Sequence, residues 1–246
     1  MKRLTFQVVV LLILGNAPVA QAALYASWSG SQPIPEGASG LAFNFSLSSG
    51  QHSISAVSVG LNISGGFNGD LYAYLSHGDG FAVLLNRAGR TSGNEDGYST
   101  PGFDVTVASS ATPDIHDYES LSPIYNGSGQ LTGTWGADGR DVLPEDSYDT
   151  IPRTATLNNF TSLDPNGDWT IFFYDASAGG VSTLKGWSVE VSTQVIPVPE
   201  PVHSALAIFG AFTVFGGIGP WLKSRVNSTH PRPCSDKGSG GDESQL

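Results

Sequence analysis

The acidic side chains of this chain have the types and spacing to hold a hard cation. Asp164-Pro165-Asn166-Gly167-Asp168 gathers oxygen ligands in a turn, and Asp175 falls twelfth from Asp164, the span of a calcium-binding helix-loop-helix loop. Trp169 stands where that loop needs a glycine, and the residues after it alternate like a strand, so the helix-loop-helix motif is rejected. Imidazoles are scarcer. His52, His77 and His116 are the histidines of the central segment, and His116 sits in Asp114-Ile115-His116-Asp117. Such a loop can hold a metal or a base, but a histidine beside acidic neighbours reads first as a solvated residue. Serines are plentiful, yet none has the Gly-x-Ser-x-Gly context of a nucleophile elbow. Carboxylate pairs are abundant because the segment is acidic, so they single out no acid/base pair.

Charge narrows the partners. The 246 residues carry a formal net charge of −11. From Ala23 to Pro201 the basic residues are Arg87, Arg90, Arg140, Arg153 and Lys185; 19 acidic residues oppose these five, a net of −14. A surface of that sign repels phosphate backbones, so no nucleic-acid partner is expected. The one cysteine, Cys234, lies near the C-terminus, so the central segment holds neither a disulfide nor a cysteine-ligated zinc.

The elements that must position these groups read as strands. Val57, Val59, Leu61 and Ile63 alternate with small polar residues, the period of a half-buried strand. Asn68-Gly69 signals a tight turn leading into Leu71, Ala73 and Leu75, which alternate with Tyr72 and Tyr74. Those two tyrosines fall on the non-core face, where they can stack on a sugar or lie under a second sheet or a loop. Phe81 to Leu85 is a short apolar run. Later, Trp169, Ile171 and Phe173, then Trp187, Val189 and Val191, repeat the alternation. Leu41, Phe43, Phe45 and Leu47 predict an edge strand within residues 23–53. The middle, about residues 86–157, is less regular, with exposed loops at 93–97 and 144–147. Many short strands divided by Gly, Asn and Asp turns predict an all-β, jelly-roll-like sandwich.

The closing stretch is the most distinctive. Gly167-Asp168-Trp169 opens a strand that ends at Asp175; Gly179-Gly180 follows, then Leu184-Lys185-Gly186-Trp187. Together with Val57 to Ile63 and Gly69-Asp70-Leu71, this resembles the P domain (P/Homo B) of proprotein convertases over about residues 54–192. The resemblance implies a jelly-roll β-sandwich. Some P domains bind calcium, and Asp70, Asp168 and Asp175 fall at the resembling positions; turn capping by the same side chains is the alternative. P domains usually follow a subtilisin-like protease domain. No His-Gly-Thr or Gly-Thr-Ser-Met context accompanies this one, so protease activity is not carried over.

The ends carry addresses. Lys2 and Arg3, the apolar run Val8 to Leu14 and the small-x-small Ala20-Gln21-Ala22 predict a signal peptide over residues 1–22, cleaved between Ala22 and Ala23. After the sandwich (23–193), a Pro-rich linker (194–201) holds Pro199-Glu200-Pro201. Residues 202–222 are apolar and long enough to cross a bilayer, and Lys223 and Arg225 open a basic, polar tail (223–246) on the cytoplasmic side. Triplet, span and basic end in that order resemble the PEP-CTERM sorting signal. That resemblance implies recognition by an exosortase-type membrane transpeptidase of a Gram-negative bacterium, and release to the cell surface or extracellular matrix. The expected protein is therefore an exported, non-catalytic module anchored through its C-terminal helix before processing. Exopolysaccharide, matrix proteins or no specific partner are the alternatives left open for its binding. A secreted envelope-polymer hydrolase and an accessory module of a separate protease are the rival readings.

Overall fold

The computed structural model describes residues 21–37, 39–50 and 53–194. Nine strands run in chain order: β1 (Gln21–Pro33), β2 (Leu41–Leu47), β3 (Ile54–Ser64), β4 (Leu71–His77), β5 (Gly80–Asn86), β6 (Gly102–Ala108), β7 (Leu131–Trp135), β8 (Gly167–Asp175) and β9 (Thr183–Gln194). They form two sheets, a five-stranded one in the order β1-β9-β3-β6-β7 and a four-stranded one in the order β2-β8-β4-β5. Each sheet turns one apolar face to the other, so period-two strands are the sequences that fit.

The core follows from that alternation. Val57, Val59, Leu61 and Ile63 of β3 and Trp187, Val189 and Val191 of β9 are buried from one sheet. Leu71, Ala73 and Leu75 of β4 and Trp169, Ile171 and Phe173 of β8 are buried from the other. The register aligns these sets: Val59 pairs with Val189, and Leu75 with Ile171. Trp169 is fully buried, stacks on Phe45 at 6.3 Å and on His77 at 4.2 Å, and donates its indole N–H to Pro165 O. Truncating a buried tryptophan of this kind costs about 3–5 kcal/mol.

Two expectations are corrected in detail. Residues 23–53 hold two edge strands, β1 on one sheet and β2 on the other. The half-buried Leu24, Ala26 and Trp28 of β1 form too weak an apolar stripe to announce a strand, yet β1 pairs with β9 from Gln21↔Gln194 to Pro33↔Thr183. The middle also holds β6 and β7, which pair in parallel from Phe103↔Leu131 to Val107↔Trp135. A parallel pair needs a long crossover, and here it contains the 3-10 segment Ile115–Leu121.

Asn68-Gly69 does make a turn, a 3-10 turn over Asn68–Asp70. It joins two sheets and does not close a hairpin. β3 belongs to the five-stranded sheet and β4 to the four-stranded one. Among the described residues no helix is long and apolar enough to cross a membrane. The anticipated span at 202–222, the Pro199-Glu200-Pro201 triplet and the signal residues before Gln21 lie outside the described residues.

Candidate functional site

Strand pairing brings two of the three anticipated ligands together. Leu71, next to Asp70, pairs with Asp175 where β4 meets the end of β8, and the Ala176 N–H donates to Asp70 O at 2.6 Å. Asp70 and Asp175 are 5% and 1% exposed. One Asp175 oxygen, Oδ1, accepts the Ser177 N–H at 3.2 Å. The other, Oδ2, has no hydrogen-bond partner; the buried Ser182 hydroxyl lies beside it but outside hydrogen-bond geometry. Burial pushes the Asp175 carboxyl up to about 6, and the charges of Asp70 and Glu36 push the same way. Burial raises Asp70 too, with Arg87 opposing and Asp96 reinforcing. The Arg87 guanidinium stands 4.0 Å from Asp70 Oδ1 and spends its Nε on Gly69 O at 2.9 Å. A cleft of about 340 Å3, lined by Phe67, Asp70, Asp96, Tyr98 and Ser177, opens beside Asp70.

Asp168 is elsewhere. It begins β8 as an exposed residue and accepts from Ser46 Oγ at 2.5 Å. Seven residues of strand place it roughly 23 Å from Asp175. Asp70, Asp168 and Asp175 therefore do not converge. Among the described residues, no three His, Cys, Asp or Glu side chains group as metal ligands. Asp164 caps its own turn, accepting from the Asn166 backbone and side-chain N–H groups. His77 reads that turn from the neighbouring strand: Nε2 contacts Asp164 O at 2.7 Å and Nδ1 contacts Asp168 O at 2.9 Å.

His116 corrects its expectation. It is fully buried, with Nδ1 2.8 Å from Asp138 Oδ2 and Nε2 3.0 Å from Arg90 O. Burial opposes its charge, but the hydrogen bond and charge of Asp138 outweigh that and raise its pKa. Asp138, also fully buried, further accepts from the Asn86 N–H and from Arg140. Arg140 bridges Asp138 and Asp114, its Nη1 lying 3.0 Å from Asp114 Oδ2. Arg90 donates to Pro144 O at 2.7 Å and lies over the Tyr148 ring at 4.6 Å. This network fastens the irregular middle of the chain to the edge of β5. Loop composition alone did not disclose it, because its longer links, Asn86 to Asp138 and Arg90 to Pro144, join residues 52 and 54 apart in sequence. Both members of this His–Asp pair are closed off from solvent.

The anticipated aromatic face is present. Tyr72 and Tyr74 are half-buried on the outer side of the four-stranded sheet, within a ladder that includes Tyr174, Phe172 and Phe81. The ring centroids of Tyr74 and Phe172 are 5.0 Å apart, and those of Tyr72 and Tyr174 are 5.2 Å apart. The rings cover one another across strands.

No family model matches this chain, and no curated protein matches it. It is similar in structure to the serine protease of Aeromonas sobria, at 12% identity and a TM-score of 0.38, over 72% of this chain and 28% of that one. It is likewise similar to the Aeromonas sobria serine protease (ASP) in the crystal structure with the chaperone (ORF2), at 14% identity and a TM-score of 0.40, over 72% of this chain and 27% of that one. The chain thus spans little more than a quarter of either neighbour.

Proposed function

We propose that this chain is an exported, non-catalytic surface or matrix protein: a P-domain-like, jelly-roll sandwich delivered by a PEP-CTERM-type signal. The observation that carries the reading is the order Pro199-Glu200-Pro201, apolar 202–222, Lys223 and Arg225. A span followed at once by cations orients the preceding sandwich outward. The interior supports the non-catalytic part. Its strongest titratable constellation, His116 with Asp138 and Arg140, is consumed in holding loops. An exosortase-type transpeptidase is the partner that would read the triplet. Exopolysaccharide or matrix proteins would be met after release, in a cell-surface or extracellular location. Cleavage between Ala22 and Ala23 would leave the β1 pairs from Ala23↔Ser192 onward intact. It would have to precede the folding of β1, because Ala22 is itself paired with Thr193.

The test is fractionation of cells producing the wild type or Glu200→Ala, with mass spectrometry of the mature C-terminus. The wild type is expected to lose its tail and leave the inner membrane, and the variant to retain both tail and membrane. If the wild type keeps its tail in the inner membrane, residues 202–222 are a plain anchor.

Calcium fits this reading at Asp70 and Asp175. A buried carboxylate with an unpartnered oxygen and a second carboxyl beside it suits a hard cation. Main-chain carbonyls and water would have to complete the shell. A ligand present at 100 times its dissociation constant stabilises the native state by about 2.7 kcal/mol. Calcium should therefore raise the melting temperature of the full chain relative to chelator. Equal melting temperatures would remove the assignment.

A further inference from the structure

The outer face of the five-stranded sheet carries an open groove of about 610 Å3 that crosses all five strands. Its side chains are small and polar. Ser27, Ser188, Asn62, Thr106 and Asp104 line it, and Tyr25, 64% exposed, stands at the β1 end. Among the described residues the hydroxyls of Ser27, Ser188 and Thr106 engage no other protein group, whereas Asn62 Oδ1 accepts from Gln130 Nε2 at 3.2 Å and Asp104 Oδ2 lies 3.5 Å from Asn126 Nδ2. Gly60 forms part of the floor. A Cβ there would meet Ser188 Oγ at 2.5 Å, so a larger residue would turn that hydroxyl aside and raise the floor.

Charge selects among occupants. Asp104 and Glu190 are exposed, with Asp104 in the groove and Glu190 paired with Tyr25 beside it. No arginine or lysine lines the groove. Across the described residues, Lys185 is the one cation classed as exposed, and it is tied to Ser31 Oγ at 2.9 Å. Such a surface repels uronate or phosphate chains and attracts amines. A lining of free hydroxyls and one projecting ring suits a polyhydroxylated chain, whose hydrogen-bonding groups are many and whose ring faces stack on an aromatic. It offers no apolar recess for the side chains of a peptide.

We propose that this groove binds a linear glycan bearing free amino groups, with Tyr25 stacking on one sugar ring and Asp104 and Glu190 facing its ammonium groups. The proposal rests on the exported reading only for where such a glycan would be encountered. Binding by the purified chain does not depend on sorting, so a failed groove and a failed address are told apart.

The experiment is calorimetric titration of the full chain in mild detergent with three probes: a glucosamine hexamer, its N-acetylated counterpart and hexalysine. The glucosamine hexamer is expected to bind at least about tenfold more tightly than either of the others, a margin of about 1.4 kcal/mol. Tyr25→Ala should weaken that binding by about tenfold, and Tyr25→Phe should leave it within about twofold. Asp104→Asn should weaken it by roughly two- to fivefold, the range of an exposed ion pair. Asp149→Asn, on the loop held by Arg140, should leave it unchanged. Absence of binding, equal binding of hexalysine or of the acetylated hexamer, or equal losses from Asp104→Asn and Asp149→Asn would overturn the proposal.

Discussion

Asp175 concentrates the chemistry of the β4–β8 end in one side chain. Its carboxyl is buried, one oxygen is unpartnered, and its pKa stands at about 6 against an ordinary 3.8. A carboxyl raised on folding favours the native state while protonated. Its contribution is fully present below the unfolded pKa and is lost as pH rises through the folded one. A shift of that size corresponds to about 3 kcal/mol lost between pH 4 and pH 7. His116 has the same sign, because its raised pKa makes the buried imidazolium most favourable on the acid side. Without divalent cation, the melting temperature should therefore rise as pH falls from 7 towards 5. Asp175→Asn should remove most of that slope, raise the melting temperature at pH 7 by several degrees, and abolish any calcium response. Thermal melts of the two proteins from pH 4.5 to 8, with and without calcium, check all three outcomes. A slope unchanged by Asp175→Asn would assign the titration to another group.

At the scale of elements, the crossover between sheets depends on Asn68. Its amide donates to Gly102 O and to the Tyr118 hydroxyl, both at 3.1 Å, and its carbonyl accepts the Gly102 N–H at 2.8 Å. The turn is thereby clamped to the start of β6. Asn68→Ala removes three buried hydrogen bonds, while the Gly102 N–H keeps Thr100 O at 3.2 Å and the Tyr118 hydroxyl keeps Thr100, so a loss of about 1–3 kcal/mol is expected, read by chemical denaturation. A loss below about 1 kcal/mol would mean that water replaces the amide. The same turn shows where sequence reading reaches its end. Asn-Gly is expected for its tolerance of positive φ, yet positive φ here falls on Gly65 and Gly66, at 74° and 62°. Gly69 is required for space, since a Cβ would stand 2.2 Å from Asp96 O. Strands β3, β4, β8 and β9 were legible because each pairs one buried face with one polar face. β1 was not, because its inward stripe, Leu24, Ala26 and Trp28, is short and broken by a small residue, whereas the edge strand β2 carries Leu41, Phe43, Phe45 and Leu47. The Asp70–Asp175 meeting was half-legible. Two acids at strand ends can be seen in the sequence, but which ends coincide is decided by register, while the length of β8 itself keeps Asp168 away from Asp175.

The described residues turn every cation but Lys185 inward. Arg87, Arg90 and Arg140 are buried, Arg153 is partly buried against Ala137 and Asp138, and the carboxylates outside face water almost unopposed. Glu145, Asp146 and Asp149 crowd one loop, with Asp141 just before it, all exposed. At about 0.01 M salt the screening length is about 30 Å, comparable to the domain, so these charges repel one another; near 1 M it is about 3 Å and the repulsion is screened. The buried ion pairs are shielded from salt by the protein around them. Sodium chloride should therefore raise the melting temperature rather than lower it, with most of the gain below about 0.2 M. Replacing Glu145, Asp146 and Asp149 together by lysine should raise the low-salt melting temperature and flatten the response to sodium chloride. It should leave the calcium response intact, because the charges that act on Asp70 and Asp175 are those of Arg87, Asp96, Glu36 and each other, and not those of the three replaced side chains. A melting temperature that falls with salt would show that exposed pairs, not the buried clasp, hold the loops. Loss of the calcium response in the triple variant would show that calcium acts by neutralising the surface at large and not by filling the place beside Asp175.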